Sequence, residues 1–120
     1  MRNKILEALK PLDNNIHYGA VTEKDFQNMK SADCIIVASD SVRLKESSSR
    51  DLVFTYNIFI VRENAVPEEL ILNVIEALEQ IPGLRLVNQS NPFEYLPKGK
   101  TGMIVETIML SFAKTVKRCY

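Results

Sequence analysis

Few side chains of this sequence have the type and spacing that catalysis or metal binding requires. The one histidine, His17, has no cysteine or acidic residue at metal-ligand spacing, and a lone histidine in a polar stretch is usually exposed. The serines of ASDS and ESSS lack the surroundings of a nucleophile elbow, and four scattered glycines form no phosphate loop. Glu76 and Glu79 are typical of a solvated helix face. We therefore expect no enzyme activity, no metal site and no cofactor.

The cysteines and the apolar runs indicate the compartment. Cys34 and Cys119 are too few and too far apart for a disulfide framework or a zinc site. Cys34 opens an apolar run and is predicted to be buried, while Cys119 is expected to be a free thiol. The beginning, MRNKILEALKPLDNN, lacks the features of a signal peptide, and no apolar run approaches the roughly 18 residues of a membrane span. We expect a cytoplasmic chain with no membrane partner.

The charge is balanced overall but unevenly distributed along the chain. Residues 1–83 hold 9 Lys/Arg against 13 Asp/Glu, whereas residues 84–120 hold 6 against 2. This asymmetry is typical of a dipolar subunit that stacks head to tail with its own copies, although a scatter over a mixed surface is the alternative. The net charge of zero argues against nucleic acid as the main partner.

Two polar segments, RLKESSSR and PKGKTG, carry clustered basic residues. With Tyr95 nearby, they have the composition of a site for single-stranded nucleic acid. Glu46, Asp51 and Glu94 dilute their charge, however, and hairpin tips are commonly polar. We expect no specific nucleic-acid binding.

The elements that must position any site are two main helices and four strands. RNKILEALKPL has helical spacing of its apolar residues, and TEKDFQNMK predicts one or two further helical turns. VPEELILNVIEALEQIPG is the clearest helix, with Pro67 in its first turn and Pro82-Gly83 at its end. Its predicted buried stripe consists of Leu70, Val74, Ala77, Leu78 and Ile81.

The strands are predicted from alternation and from β-branched and aromatic content. DCIIVASDSVRLK and DLVFTYNIFIVRE are the first two; LRLV begins a third that continues after a kink through PFEYL. MIVETIMLSFAKTVK is the last, and DNNIHYGA is expected to be a loop. Both faces of the second strand carry apolar groups: Leu52, Phe54, Tyr56, Ile58 and Ile60 lie on one face, and Val53, Thr55, Asn57, Phe59 and Val61 on the other. The predicted core face of the last strand contains Ile104, Ile108, Leu110, Phe112 and Val116.

These elements predict one domain over residues 1–120. The expected fold is α+β: a single layer of four mostly antiparallel strands with helices on one face, in the order helix-strand-strand-helix-strand-strand. The other face of the sheet then carries Phe59, Val61, Met103, Val105 and Met109, and such an apolar face is a candidate oligomer surface.

Several segments in this order resemble a known group of phage proteins. HYGA, CIIVAS, YNIFIVRENAVPEEL, VIEALEQIPGLRL and VETIMLSFAKTVKR together span almost the whole chain, with RENAVPEEL and IPGLRL as the sharpest pieces. The chain resembles the tail terminator, or tail-to-head joining, proteins of long-tailed phages and prophages.

The resemblance implies a structural virion protein. Such subunits form a ring, typically a hexamer, that caps the tail tube, ends its polymerisation and presents a surface to the head connector. The implied partners are other copies of the chain, the tail tube protein and the head connector protein. The implied location is the head-tail junction of the virion, reached from the bacterial host cytoplasm during assembly. The alternatives are a head-completion or stopper protein, and a stand-alone ligand- or nucleic-acid-binding α+β module.

The segment KESSSRD lies between two predicted strands and is expected to turn the chain back as a hairpin. Its tip is a candidate contact with a neighbouring subunit or with the tube, and deleting Ser47–Ser49 is expected to weaken assembly without harming the fold. The complete set of predicted interface residues is Arg43, Lys45, Glu46, Ser47, Ser48, Ser49, Arg50, Lys98, Lys100, Phe59, Val61, Met103, Val105 and Met109.

Overall fold

The computed structural model describes residues 1–19, 33–45, 50–87, 91–98 and 103–117. These residues form the helices α1 (Arg2–Leu9) and α2 (Glu68–Glu79). They also form the strands β1 (Ile16–Tyr18), β2 (Cys34–Leu44), β3 (Leu52–Arg62), β4 (Leu84–Leu86), β5 (Phe93–Lys98) and β6 (Met103–Val116). The predicted helical segment TEKDFQNMK and Cys119 lie outside the described residues.

The first helix forms because its apolar residues share one face. Ile5 and Leu9 on that face are fully buried against the sheet. The helix ends at Lys10, whose backbone N–H donates to the Leu6 carbonyl, and Pro11 then prevents the helix from continuing.

The second helix lies where its sequence signals predict it, but it begins at Glu68, so Pro67 is not in its first turn. Pro67 precedes it in an extended conformation, and the glutamates at 68 and 69 complement the positive end of the helix dipole. The predicted stripe is confirmed at Val74, Leu78 and Ile81, which are buried, while Leu70 and Ala77 are only partly buried. Gly83, at φ +84°, supplies the left-handed conformation that turns the chain into β4.

The strands form one mixed sheet in the order β1-β2-β3-β6, and the outer edge of β6 is shared by two short strands. β4 pairs with the C-terminal part of β6 and β5 with its N-terminal part. Between them, the Met109 N–H donates to the Pro92 carbonyl and the Val87 N–H to the Ser111 carbonyl, which covers the rest of this edge. β1 runs parallel to β2, and every other pair is antiparallel.

The core lies between the sheet and the two helices, on the face that we call the helix side. Tyr56, Ile58 and Ile60 of β3 stand opposite Phe112, Leu110 and Ile108 of β6, and all six are buried. The alternation predicted for these two strands is therefore confirmed at their centres. Burial of such a continuous apolar layer is the main source of stability for a domain of this size.

The opposite face of the sheet, which we call the second face, is more mixed. Cys34, Val61 and Val105 form a small buried cluster near one end. At its centre Phe59 lies opposite Met109, and both are partly buried. Farther along, the Ser111 hydroxyl lies 2.9 Å from the Asn57 side-chain oxygen and donates to it, so the buried hydroxyl is satisfied.

The predicted fold class is wrong. The described residues contain six strands rather than four, and the sheet is mixed rather than a simple antiparallel layer. DNNIHYGA is not a loop throughout, because its residues 16–18 form β1 by parallel pairing with β2. LRLV and PFEYL are not one kinked strand: they contribute to β4 and β5, which occupy different parts of the β6 edge.

The hairpin predicted around KESSSRD is confirmed in its strands. β2 and β3 are antiparallel, and the Lys45 N–H donates to the Asp51 carbonyl at 2.9 Å. Residues 46–49 lie outside the described part of the chain. A β-bulge between Ser39 and Ser41 inserts Asp40 into β2 as an extra residue.

Candidate interaction surfaces

Residues with catalytic or metal-binding potential do not converge in the described part of the chain. There, no group of three or more His, Cys, Asp or Glu side chains is arranged to hold a metal ion. His17 lies on β1 instead of in an exposed loop, and its Nε2 atom is buried without a hydrogen-bond partner among the described residues. Neither described helix is long and apolar enough to cross a membrane.

Cys34 is buried and unpaired, as predicted. Burial, with a smaller contribution from the Asp13 carboxylate, raises the pKa of its thiol from 9.0 to about 11, while the Arg62 guanidinium partly opposes the shift. Arg62 and Asp13 form an ion pair at 2.9 Å, which joins the segment after α1 to the end of β3. The thiol therefore stays protonated and unreactive near neutral pH, so this cluster is structural.

A groove about 650 Å³ in volume crosses the second face at the end near the β2–β3 hairpin. Arg43 of β2 and Lys45, the residue that follows β2, line one side, and Arg85 of β4 lines the other. The whole lining, which we call the basic groove, consists of Arg43, Lys45, Val53, Gly83, Arg85, Val87, Ala113 and Thr115. It thus combines a floor of small or apolar side chains with cationic walls.

The register of the sheet explains how these residues meet. Residues that are paired on neighbouring strands point to the same face of the sheet. Arg43 pairs with Val53, and Val53 pairs with Thr115. Arg85 pairs with Ala113, which lies two residues before Thr115 on β6, so all five side chains point to the second face. The three cations of the groove form no ion pair with any described residue. The described residues of the groove lining also include no acidic side chain. This part of the lining is therefore positively charged, which favours an anionic partner.

Exposed apolar side chains lie on the helix side at the hairpin end of the sheet. Val42 is 58% exposed, Leu44 55% and Val116 38%, although they share a face with the core residues. Leu44 and Val116 both flank Leu52 in the register, and Val42 pairs with Phe54 one step nearer the centre. We call Val42, Leu44 and Val116 the Val42 patch.

A second apolar surface lies on the helix side at the opposite end of β6. Phe93 is 47% exposed, Tyr95 64% and Ile104 60%, and we call these three residues the Tyr95 patch. Hydrogen bonding to Glu106 raises the pKa of the Tyr95 hydroxyl. Glu106 also accepts the Val66 N–H at 2.8 Å, which ties this patch to the segment before α2.

Both patches exist because the strands are longer than the helices. At about 3.3 Å per residue, the 14 residues of β6 span roughly 46 Å. At 1.5 Å per residue, the 12 residues of α2 span only about 18 Å. The molecule is 56 Å along its longest axis and 26 × 25 Å across. The sheet therefore extends beyond the helices that cover its centre.

The predicted interface residues fall into several environments. Arg43 and Lys45 line the basic groove, and Phe59 and Met109 lie partly buried at the centre of the second face. Val61 and Val105 are buried within the chain and offer little area to a partner. The remaining members are distributed as follows: Arg50 is exposed before β3, Lys98 pairs with Met103 at the start of β6, and Glu46, Ser47, Ser48, Ser49 and Lys100 lie outside the described residues.

Several surface residues were missed by the sequence analysis. Ile104 and Val116 were assigned to the core, because the alternation of β6 continues past the point where the helices end. The sequence predicts Tyr95 only as part of a site for single-stranded nucleic acid. Arg85 was not grouped with Arg43, because only the β2-β3-β6-β4 strand order brings their side chains to one groove. The exposure of Ile104 and Val116 could have been predicted from the sequence, because the predicted helices are shorter than the last predicted strand.

Comparison with known proteins adds no family. No protein-family model matches the chain, and no curated protein matches it. Function has therefore to be argued from the surfaces themselves, and the resemblance to tail terminator proteins remains an expectation.

Proposed function

We propose that this chain is a structural virion protein, one subunit of a six-membered ring that caps a phage tail tube. The ring ends polymerisation of the tube and joins the tail to the head connector at the head-tail junction. The observation that carries the proposal is the pair of apolar patches that the helices leave uncovered at both ends of the sheet.

Apolar side chains concentrated in this way favour association. Each patch contains three large side chains with 38–64% exposure, whereas scattered single apolar residues are ordinary on a surface. The patches lie on the helix side, at positions 104 and 116 of β6, which are 12 residues and roughly 40 Å apart. A partner that covers both must extend along the sheet, as a neighbouring copy of similar length does.

The two faces of the subunit differ, which favours a ring over a two-fold dimer. The helix side offers the apolar patches, and the second face offers Phe59, Met109 and the basic groove. Contact between unlike surfaces of successive copies is heterologous, and it closes into a ring when the rotation between copies allows. The tube and the head connector enter the proposal through the resemblance of the sequence.

The proposal is tested on tube ends. A purified phage tail tube protein is polymerised with and without the purified chain, and the tubes are examined by negative-stain electron microscopy. We expect shorter tubes with an additional ring of density at one end when the chain is present. Tubes of unchanged length and without terminal density, at a large excess of the chain, would refute the capping function.

A further inference from the structure

The exposed face of α2 carries a regular pattern of charge. Glu69, Leu72 and Glu76 are exposed and follow one another at spacings of three and four residues, which places them on one face of the helix. Leu72 is 59% exposed, between two carboxylates. We call these three residues the acidic stripe. Among the described residues, neither the Glu69 nor the Glu76 carboxylate forms a side-chain hydrogen bond or an ion pair.

The acidic stripe and the basic groove lie on opposite sides of the same subunit. α2 packs on the helix side through Val74 and Leu78, so the acidic stripe points away from the sheet. The groove lies on the second face. One copy therefore presents a negative helix on one side and a positive groove on the other, an arrangement that suits contact between successive copies.

The dimensions of the two surfaces also match. Glu69 and Glu76 are seven residues apart, which is about 10 Å along a helix. Arg43 and Arg85 are separated by three strand spacings, or about 14 Å, across the β2-β3-β6-β4 order. The long arginine side chains can close the remaining few ångströms.

The middle of the acidic stripe and the floor of the basic groove are both apolar. Leu72 lies midway along the acidic stripe, and the groove floor between the cations contains Val53 and Ala113. A helix lying across the groove would bury Leu72 on that floor and place one carboxylate near each wall.

From this complementarity we infer that the basic groove of one copy receives the acidic stripe of the next copy. The inference rests on the proposed function, because it names the surfaces through which the ring subunits contact each other. The contact is heterologous, since a groove on the second face meets a helix on the opposite side. The occupant of the groove is a second copy of this chain. Because the net charge of each copy is zero, the growing assembly gains no net charge as the contact is repeated.

The test is a charge swap measured by sedimentation velocity at low salt. The groove variant Arg43→Glu/Arg85→Glu and the stripe variant Glu69→Arg/Glu76→Arg each place like charges in contact. We expect each variant alone to associate at least about tenfold more weakly than the wild type. In an equimolar mixture of the two variants every contact regains opposite charges, so association should return to within about threefold of the wild type.

Matched controls separate this contact from general effects of charge. Lys10→Glu reverses an exposed cation at the end of α1, outside the groove, the stripe and the patches, and should not weaken association. Circular dichroism and urea unfolding of all variants verify that the substitutions, which lie at exposed positions, leave the fold intact.

Each outcome gives a distinct answer. Wild-type association of the groove variant, or a mixture that fails to recover, would overturn the inference while leaving the proposed ring untouched. A groove variant that assembles normally but loses binding of a labelled single-stranded oligonucleotide would assign the groove to nucleic acid instead. A wild-type chain that never associates, even at millimolar concentration, would overturn both the inference and the proposed function.

Discussion

Replacing the two most exposed residues of the Val42 patch, Val42→Thr/Leu44→Thr, should weaken assembly and spare the fold. More than half of each side chain remains in solvent in the single chain, at 58% and 55% exposure. Threonine is β-branched and suits a strand, so β2 should still form. We expect the free energy of unfolding of a single copy to change by less than about 1 kcal/mol.

The expected loss of association follows from the area that remains exposed. Burying a whole Val or Leu side chain is worth about 1.5–3 kcal/mol, so covering the remaining half contributes roughly 1 kcal/mol each. Each new hydroxyl adds a cost of about 1–3 kcal/mol if it is buried without a partner. A combined loss of 2 kcal/mol or more corresponds to a dissociation constant weaker by roughly 30-fold or more.

The assay is sedimentation velocity over a series of protein concentrations, with urea unfolding followed by circular dichroism. The control variant Val42→Ile/Leu44→Ile keeps the patch apolar and should assemble like the wild type. If the threonine variant assembles as well as the wild type, the patch lies outside every contact between copies, and the main argument for the ring fails. If it unfolds readily, the patch belongs to the core of the single chain.

Three further predictions concern the fold itself. Phe112→Ala, at a fully buried position, should lower the free energy of unfolding by about 3–5 kcal/mol in urea, and a loss below 1 kcal/mol would contradict the assigned core. Gly83→Ala should cost about 1 kcal/mol or more, because alanine is strained at φ +84°; an unchanged urea midpoint would argue against this turn. The raised pKa of Cys34, about 11 against 9.0, favours the native state below pH 9, so this contribution is lost as the pH rises from 9 to 11. Cys34→Ala should remove that part of the decline, about 2–3 kcal/mol, and identical pH profiles of the two proteins would contradict the burial of the thiol.

The parts of the fold that could be predicted from sequence are those determined by local periodicity. α2 is identified by its apolar stripe, its acidic first turn and Gly83 at its end. The faces of β3 follow from strict alternation, and the β2–β3 hairpin follows from two apolar runs around a polar heptapeptide. In each case the signal lies within one element or between neighbours in sequence.

The remaining features depend on pairing between distant residues. β1 contains only three residues in a polar setting, and it becomes a strand because β2 offers its edge. The short β4 and β5 are separate strands because the long β6 has room for both on one edge. The basic groove could not be predicted for the same reason, since Arg43 and Arg85 belong to strands far apart in sequence.

The patches at the two ends of the sheet required a comparison of lengths. Alternation correctly assigned Ile104 and Val116 to the same face as the core residues of β6. Whether that face is covered at a given residue depends on how far α1 and α2 reach over the sheet, which no pattern within β6 indicates.

The central claim is that this chain assembles with copies of itself, and the mass of the purified protein in solution tests it most directly. Light scattering coupled to size exclusion, across micromolar to millimolar concentrations at low salt, would measure that mass. We predict a concentration-dependent rise from 13.7 kDa to a defined ring of six copies. A mass that remains at 13.7 kDa over the whole range would contradict the account.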